Sequence, residues 1–116
     1  LQDLINANGG DMPQTWGVPV EEIERGIRHG VRKVNIDTDC RMAMSGAMRL
    51  FAKNNPQSFD PRAFFLAAME ELKSLVSDRF ERFGTAGQAH KIKPIALAEM
   101  ASRYTSGELD PYVVSK

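Results

Sequence analysis

Several side chains able to hydrogen-bond a ligand stand close together in the stretch 33–39, Lys-Val-Asn-Ile-Asp-Thr-Asp: Asn35, Asp37, Thr38 and Asp39. The stretch contains the end of a run of β-branched or long residues, 31–36, and precedes a helical pattern, so it lies where a strand gives way to a helix. In parallel α/β folds, ligands bind in the loops at this end of a strand. The exposed N–H groups and positive dipole end of the following helix favour phosphate. These residue types at this spacing therefore form a turn that is suited to phosphate.

A purely structural interpretation of the same residues is also open. Thr38 and Asp39 are residue types that commonly cap a helix, and Asn35 could make a buried structural hydrogen bond. Asn35 is harder to explain in this way, because a polar residue inside a strand needs a partner. It alternates with the apolar Val34 and Ile36, so it faces away from them.

The elements that position the turn follow from the apolar spacing. The sequence predicts one strand, over 31–36, and helices over 39–54, 61–83 and 94–105. Upstream, Leu1 to Asn8 is typical of the last turns of a helix. A further short helix is expected to have Pro19 at its first position and to end at Gly30.

A single strand cannot satisfy its own backbone groups and is not a stable unit. The segment 31–36 therefore needs partner strands that this chain does not contain. The chain also begins Leu-Gln-Asp-Leu, without an initiator Met. The residues alone indicate a βα unit with a helical tail from a parallel α/β sheet or barrel. As an isolated chain it is expected to be mainly helical.

Composition narrows the classes of function. Of 116 residues, 15 are Lys or Arg and 15 are Asp or Glu, so the formal net charge is zero. That balance predicts neither nucleic acid nor an anionic membrane as a partner, and no apolar run is long enough to span a bilayer. The single cysteine, Cys40, allows no internal disulfide and indicates a reducing compartment.

The turn and its surroundings resemble class II fructose-bisphosphate aldolases, most closely the bacterial and Calvin-cycle-type branch. The resemblance covers essentially the whole chain. It rests on motifs in the family's order: Gly17–Ile23, Gly26–Arg32, Lys33–Asp39, Phe59-Asp60-Pro61-Arg62, Phe83–Gly87, Lys91–Pro94 and Tyr104–Pro111.

The resemblance implies a TIM (β/α)8 barrel, with this chain, 1–116, as its C-terminal part and 31–36 as its last strand. It implies reversible cleavage of fructose 1,6-bisphosphate to dihydroxyacetone phosphate and glyceraldehyde 3-phosphate. Asn35 matches the catalytic asparagine that hydrogen-bonds the enediolate. Asp37 and Thr38 match the pair that holds the phosphate of the dihydroxyacetone half. Arg62 matches an arginine that reaches a neighbouring subunit's site and binds the other phosphate, which implies a homo-oligomer.

The same resemblance implies zinc as cofactor, acting as a Lewis acid that stabilises the enediolate. The family's zinc ligands, proton-transferring carboxylates and Gly/Ser-rich loop are expected upstream of this chain, which supplies no metal ligand. The chain alone is therefore expected to be inactive, and the whole enzyme to be a cytoplasmic protein of glycolysis, gluconeogenesis or the Calvin cycle.

The sequence leaves three alternative interpretations of the chain open. A tagatose-bisphosphate aldolase shares the family's fold and phosphate sites. A stand-alone helical module could bind a partner without chemistry, although a lone strand and a truncated first helix argue against it. A natural fragment could assemble with a separately encoded barrel portion.

The remaining reactive side chains are given no catalytic role. His29 and His90 have no Cys, His or carboxylate at ligand spacing around them. Cys40 falls on the apolar face of a predicted helix, and no base is evident beside it.

Overall fold

The structure of the protein, a computed structural model, describes residues 1–111. Within them lie five α-helices and one 3-10 turn: α1 (Gln2–Asn6), α2 (Val20–Arg28), α3 (Thr38–Asn54), α4 (Pro61–Arg82), the 3-10 turn Ala89–Lys91 and α5 (Leu97–Thr105). The chain divides into two compact units, Leu1–Ala86 and a second that begins at Gly87.

The segment predicted as a strand, 31–36, forms no β-ladder among the described residues, which contain no strand at all. No backbone N–H from residue 32 to residue 37 donates to another backbone group within this part of the chain. The reason is that a β-ladder needs two strands, and this sequence predicts only one, at 31–36. The fold within residues 1–111 is accordingly helical.

The helices differ from their predicted ranges mainly at their first residues. α3 begins at Thr38 rather than 39, and α5 begins at Leu97 rather than 94, after Ala96 in extended conformation. α4 begins at Pro61, where the carboxylate of Asp60 accepts a hydrogen bond from the backbone N–H of Arg62. Asp before Pro is a strong start signal, since the side chain caps a free N–H and proline needs none.

α2 begins one residue later than predicted. Pro19 precedes the helix as its N-cap instead of occupying its first position. The helix ends before Gly30, whose φ of +108° is a backbone conformation that residues with a Cβ rarely adopt. The chain then turns into the segment 31–37.

Small residues let the helices of the first unit approach closely. α3 packs against both α1 and α4, and the buried residues in these contacts are Ala43, Gly46 and Ala47 of α3 with Ala68 of α4. A Cβ on Gly46 would lie 2.8 Å from Cδ2 of Leu4 in α1, so a larger residue at position 46 would displace that side chain.

An aromatic pair and an ion-pair cluster add to the packing of α4. Phe51 of α3 meets Phe64 of α4 edge to face at 5.0 Å between ring centroids. At the other end of α4, Arg82 donates to Glu24 at 2.6 Å and to Glu21 at 2.8 Å in α2. Its hydrogen bond lowers the pKa of Glu21, and the two carboxylates together raise the pKa of Arg82. α2 is thereby tied to the last turn of α4.

Many large apolar side chains in the first unit remain exposed. On α4 these are Phe65, Leu66, Met69 and Phe80. Monomeric proteins rarely leave several such residues exposed along one element. No helix among the described residues is long and apolar enough to cross a membrane.

The second unit contains the 3-10 turn and α5. Arg103 in the last turn of α5 pairs with Glu108 at 2.8 Å. No side chain of α5 is buried.

Candidate functional site

A cleft of about 570 Å³ in the first unit contains three of the four predicted site residues, Asn35, Asp37 and Thr38. Its wall is formed by Val31, the segment 33–37, the first turn of α3, one face of α2, the loop residues Gly17 and Val18, and a single residue of α4, Arg79. The cleft therefore lies at the predicted turn.

The N-terminus of α3 is uncapped. Its N-cap residue, Asp37, makes no side-chain capping hydrogen bond; its carboxylate instead accepts from Nε of Arg41 at 2.9 Å. Within the described residues, the N–H groups of Thr38, Asp39 and Cys40 donate to no backbone carbonyl. These donors, with the dipole of a 17-residue helix behind them, form an arrangement that favours an anion.

The observed positions of Thr38, Asp39 and Asn35 do not agree with the purely structural interpretation, in which they cap a helix or make a buried hydrogen bond. Thr38 and Asp39 both lie inside α3, so neither is its cap. Asn35 is exposed rather than buried, and its side-chain carbonyl accepts a hydrogen bond from Nζ of Lys33. Because the Asn35 carbonyl faces a lysine, its amide NH2 group remains a donor for a ligand.

The carboxylates of the cleft are each paired with an arginine. Asp37 pairs with Arg41, and Asp39 pairs with Nη2 of Arg79 at 3.0 Å. Glu22, which also lines the cleft, pairs with Arg25 of its own helix. With these charges compensated, the negative groups beside the α3 N-terminus oppose an incoming anion less than unpaired carboxylates would.

The fourth predicted residue, Arg62, is not in the cleft. It lies in the first turn of α4 with 89% of its side chain exposed, paired with Asp60 at 2.6 Å. The Arg62 hydrogen bonds lower the pKa of Asp60, and Asp60 in turn raises the pKa of Arg62. Arg62 and Arg79 are 17 residues apart in one helix, about 25 Å at a rise of about 1.5 Å per residue. Arg62 therefore cannot serve the cleft of its own chain.

Two cationic residues of the cleft, Lys33 and Arg79, were not among the predicted site residues. Arg79 is a partly buried arginine, with 14% of its side chain exposed. A signal was present in the sequence: Arg79 stands between Val76 and Phe83, at helical spacing on an apolar stripe, where a charge needs a partner. Arg79 has two such partners: the neighbouring Asp78, and Asp39, which is not readable from sequence because 40 residues separate it from Arg79.

No metal site is formed by this part of the chain. Residues 1–111 contain no group of three or more His, Cys, Asp or Glu side chains that could hold an ion. Cys40 lies half-buried in the first turn of α3, with Sγ 3.9 Å from the carbonyl oxygen of Ile36.

Comparison with known proteins identifies relatives along nearly the whole chain. The sequence model of a family described as "Fructose-bisphosphate aldolase class-II" matches residues 14–88. The chain is 67% identical over 115 residues to "Fructose-bisphosphate aldolase 1" of Cereibacter sphaeroides, covering 99% of the chain and 32% of that relative. It is 60% identical over 111 residues to "Fructose-bisphosphate aldolase 2" of Rhodobacter capsulatus, covering 96% of the chain and 97% of that sequence.

A third relative, "Fructose-bisphosphate aldolase" of Pseudomonas aeruginosa, is 56% identical over 110 residues and is covered to 31% of its length. The chain thus spans about a third of the Cereibacter and Pseudomonas relatives, where it corresponds to the C-terminal part.

Proposed function

Because the chain belongs to the class II fructose-bisphosphate aldolase family, we propose that it is the C-terminal part of an enzyme that reversibly cleaves fructose 1,6-bisphosphate. The products are dihydroxyacetone phosphate and glyceraldehyde 3-phosphate. One observation carries the proposal: the chain is 67% identical to a fructose-bisphosphate aldolase over 99% of its length. The uncapped helix and its cleft fall within the matched stretch.

The cleft binds the dihydroxyacetone phosphate half of the substrate. The free N–H groups at the start of α3 and the hydroxyl of Thr38 donate to the phosphate oxygens. Asp37 places its backbone at the turn, while its carboxylate is held aside by Arg41. The amide NH2 of Asn35 donates to the oxygen on which negative charge develops as the C–C bond breaks.

Arg62 binds the second phosphate in the site of a neighbouring subunit. Two features support this role: the separation of about 25 Å from Arg79 along α4, and the high exposure of the Arg62 side chain. A planar guanidinium can hold two phosphate oxygens at once and stays charged at any physiological pH. In a homo-oligomer the site is then completed by two chains.

The segment 31–36 is the last strand of a TIM barrel. Its free backbone N–H groups are those that a neighbouring strand would satisfy. The exposed apolar residues of α4 are covered in the same assembly, by the remainder of the barrel or by a neighbouring subunit.

Zinc is bound by the remainder of the enzyme. The described residues do not fit a zinc site, since they offer no cluster of three ligands. This chain's contribution is to bind and orient the substrate.

The substrate is fructose rather than tagatose bisphosphate, and the enzyme is a cytoplasmic protein of central sugar metabolism. The names of the relatives support the choice of sugar. A non-catalytic helical module is disfavoured, because the match continues through the whole chain rather than stopping at a surface motif.

The test uses a composite enzyme, in which this chain replaces the matching 115 residues of the Cereibacter sphaeroides aldolase. We expect a coupled assay to show cleavage of fructose 1,6-bisphosphate by the composite enzyme. The same relative truncated before the junction, and this chain by itself, should both be inactive. A composite enzyme that is folded, as judged by a cooperative thermal transition, but cleaves neither sugar bisphosphate would refute the proposal.

A further inference from the structure

The ion pair between Asp39 and Arg79 lies in the wall of the cleft that contains the proposed phosphate site. Asp39 is the second residue of α3, adjacent to Thr38, and both line the cleft. Arg79 comes from the far end of α4 and also lines the cleft. Among the carboxylates that line the cleft, Asp39 is therefore the one that pairs with an arginine of a different helix.

Electrostatics indicates what this carboxylate would do alone. A fixed negative charge a few ångströms from a bound phosphate dianion raises the free energy of the complex, and the effect grows where water is excluded. Nη2 of Arg79 supplies the opposite charge at 3.0 Å from Asp39, while Nη1 of the same side chain pairs with Asp78, which does not line the cleft. It also fixes the position of the α3 first turn relative to α4, since the paired residues are 40 positions apart in the chain.

Exposure separates this pair from the other arginine–carboxylate pair at the turn. Arg41 and Asp37 have 77% and 68% of their side chains exposed, so solvent and salt screen that pair. Arg79 and Asp39 have 14% and 37% exposed. The less screened pair has the larger influence on an anion in the cleft.

We infer that Arg79 is a positioning residue for the dihydroxyacetone phosphate site: it neutralises Asp39 and holds the uncapped start of α3 in the orientation that receives the phosphate. The inference rests on the proposed function and adds to it a residue of α4 that acts through Asp39 rather than on the substrate. Asp39 itself has a structural role, because its ion pair with Arg79 joins α3 to α4.

The test measures the condensation reaction of the composite enzyme with each substrate varied in turn. We expect Arg79→Met to raise the KM for dihydroxyacetone phosphate about tenfold, because the unpaired Asp39 then opposes the phosphate. The KM for glyceraldehyde 3-phosphate should stay within about twofold, since its phosphate is bound elsewhere. Arg79→Lys, which keeps the charge but not the fork, should fall between wild type and Arg79→Met.

A double substitution distinguishes charge compensation from simple loss of structure. Adding Asp39→Asn to Arg79→Met removes the uncompensated charge from the cleft, and the KM for dihydroxyacetone phosphate should return to within about threefold of wild type. Arg82→Met is the matched control: it removes the same charge from the same turn of α4, but its partners Glu21 and Glu24 do not line the cleft. Its KM for dihydroxyacetone phosphate should not change.

A second readout does not depend on aldolase chemistry. Inorganic phosphate should raise the Tm of the wild-type composite enzyme and of the double variant, and raise that of Arg79→Met distinctly less. An unchanged KM for dihydroxyacetone phosphate in Arg79→Met would overturn the inference, as would a double variant no better than Arg79→Met. Both results leave the aldolase proposal standing, whereas a folded but inactive wild-type composite enzyme would refute that proposal alone.

Discussion

Subunit complementation offers a sharp prediction about Arg62. The substitution Arg62→Ala removes the guanidinium and keeps the backbone N–H that Asp60 caps at 3.0 Å, so α4 should still form. Charge-assisted hydrogen bonds contribute about 1.5–3 kcal/mol each. Because Arg62 makes at least one such bond to the phosphate in this scheme, its loss should lower kcat/KM of the composite enzyme by at least about 10-fold.

The position of Arg62 determines what happens when two damaged subunits are mixed. Asn35→Ala damages a subunit's own cleft, whereas Arg62→Ala damages the site of its neighbour, because Arg62 lies about 25 Å along α4 from Arg79. In a random mixture, half of the sites have an intact Asn35, and half of those receive an intact Arg62. Co-refolding equal amounts of the two variants should therefore restore about one quarter of wild-type activity.

The assay is the coupled cleavage reaction on the mixture and on each variant alone. Lys73→Ala is the control, because it removes a positive charge from the middle of the same helix and should leave activity unchanged in every mixture. If the mixture shows only the sum of the two residual activities although the subunits exchange, Arg62 does not act across a subunit boundary.

One further outcome is expected from the proposed function and two from the structure. A strong chelator should abolish activity of the composite enzyme and zinc should restore it, while this chain alone, measured by equilibrium dialysis, should not retain zinc; retention would contradict the placement of the ligands elsewhere. The hydrogen bond from Arg62 holds the pKa of Asp60 below its ordinary 3.8. The ionised Asp60 therefore contributes its full stabilisation above pH 3.8, and this stabilisation is lost as the pH falls through the lower pKa of the folded state. The fall in Tm from about pH 5 to about pH 2 should therefore be shallower in Asp60→Asn, which keeps a capping side chain, and an identical slope would contradict this. Gly46→Ala should lower the free energy of unfolding in urea by about 1–3 kcal/mol, because the added Cβ meets Leu4. Adding Leu4→Ala to this variant should recover part of the loss. A stabilised Gly46→Ala would show that helix propensity outweighs the close contact.

The parts of this structure that sequence could predict are those fixed by local chemistry. The Asp60-Pro61 pair marks the start of α4, because both its cap and its proline act within one turn. The position of Asn35, Asp37 and Thr38 in one cleft follows from their closeness in sequence at a strand-to-helix junction. The absence of a β-ladder at 31–36 follows from the lack of a second strand among the described residues.

The parts that sequence could not predict depend on contacts between distant segments. Arg79 reaches Asp39 across 40 residues, and only the packing of α4 against α3 brings them together. Pro94 predicts a helix start at 94, but α5 begins three residues later, because Ala96 is still extended and no side chain caps the helix. The alanines and glycine between α1, α3 and α4 likewise show their role only once the helices are in contact.

The most direct test of the proposed role of this chain is a crystal structure of the composite enzyme with dihydroxyacetone phosphate bound. We predict that the phosphate lies against the hydroxyl of Thr38 and the free N–H groups at the start of α3, with the NH2 group of Asn35 toward the substrate oxygens. The backbone of 31–36 should be hydrogen-bonded to a neighbouring barrel strand. A phosphate bound away from the start of α3, or a segment 31–36 still unpaired in a folded enzyme, would contradict the assignment of this chain to the barrel and its substrate site.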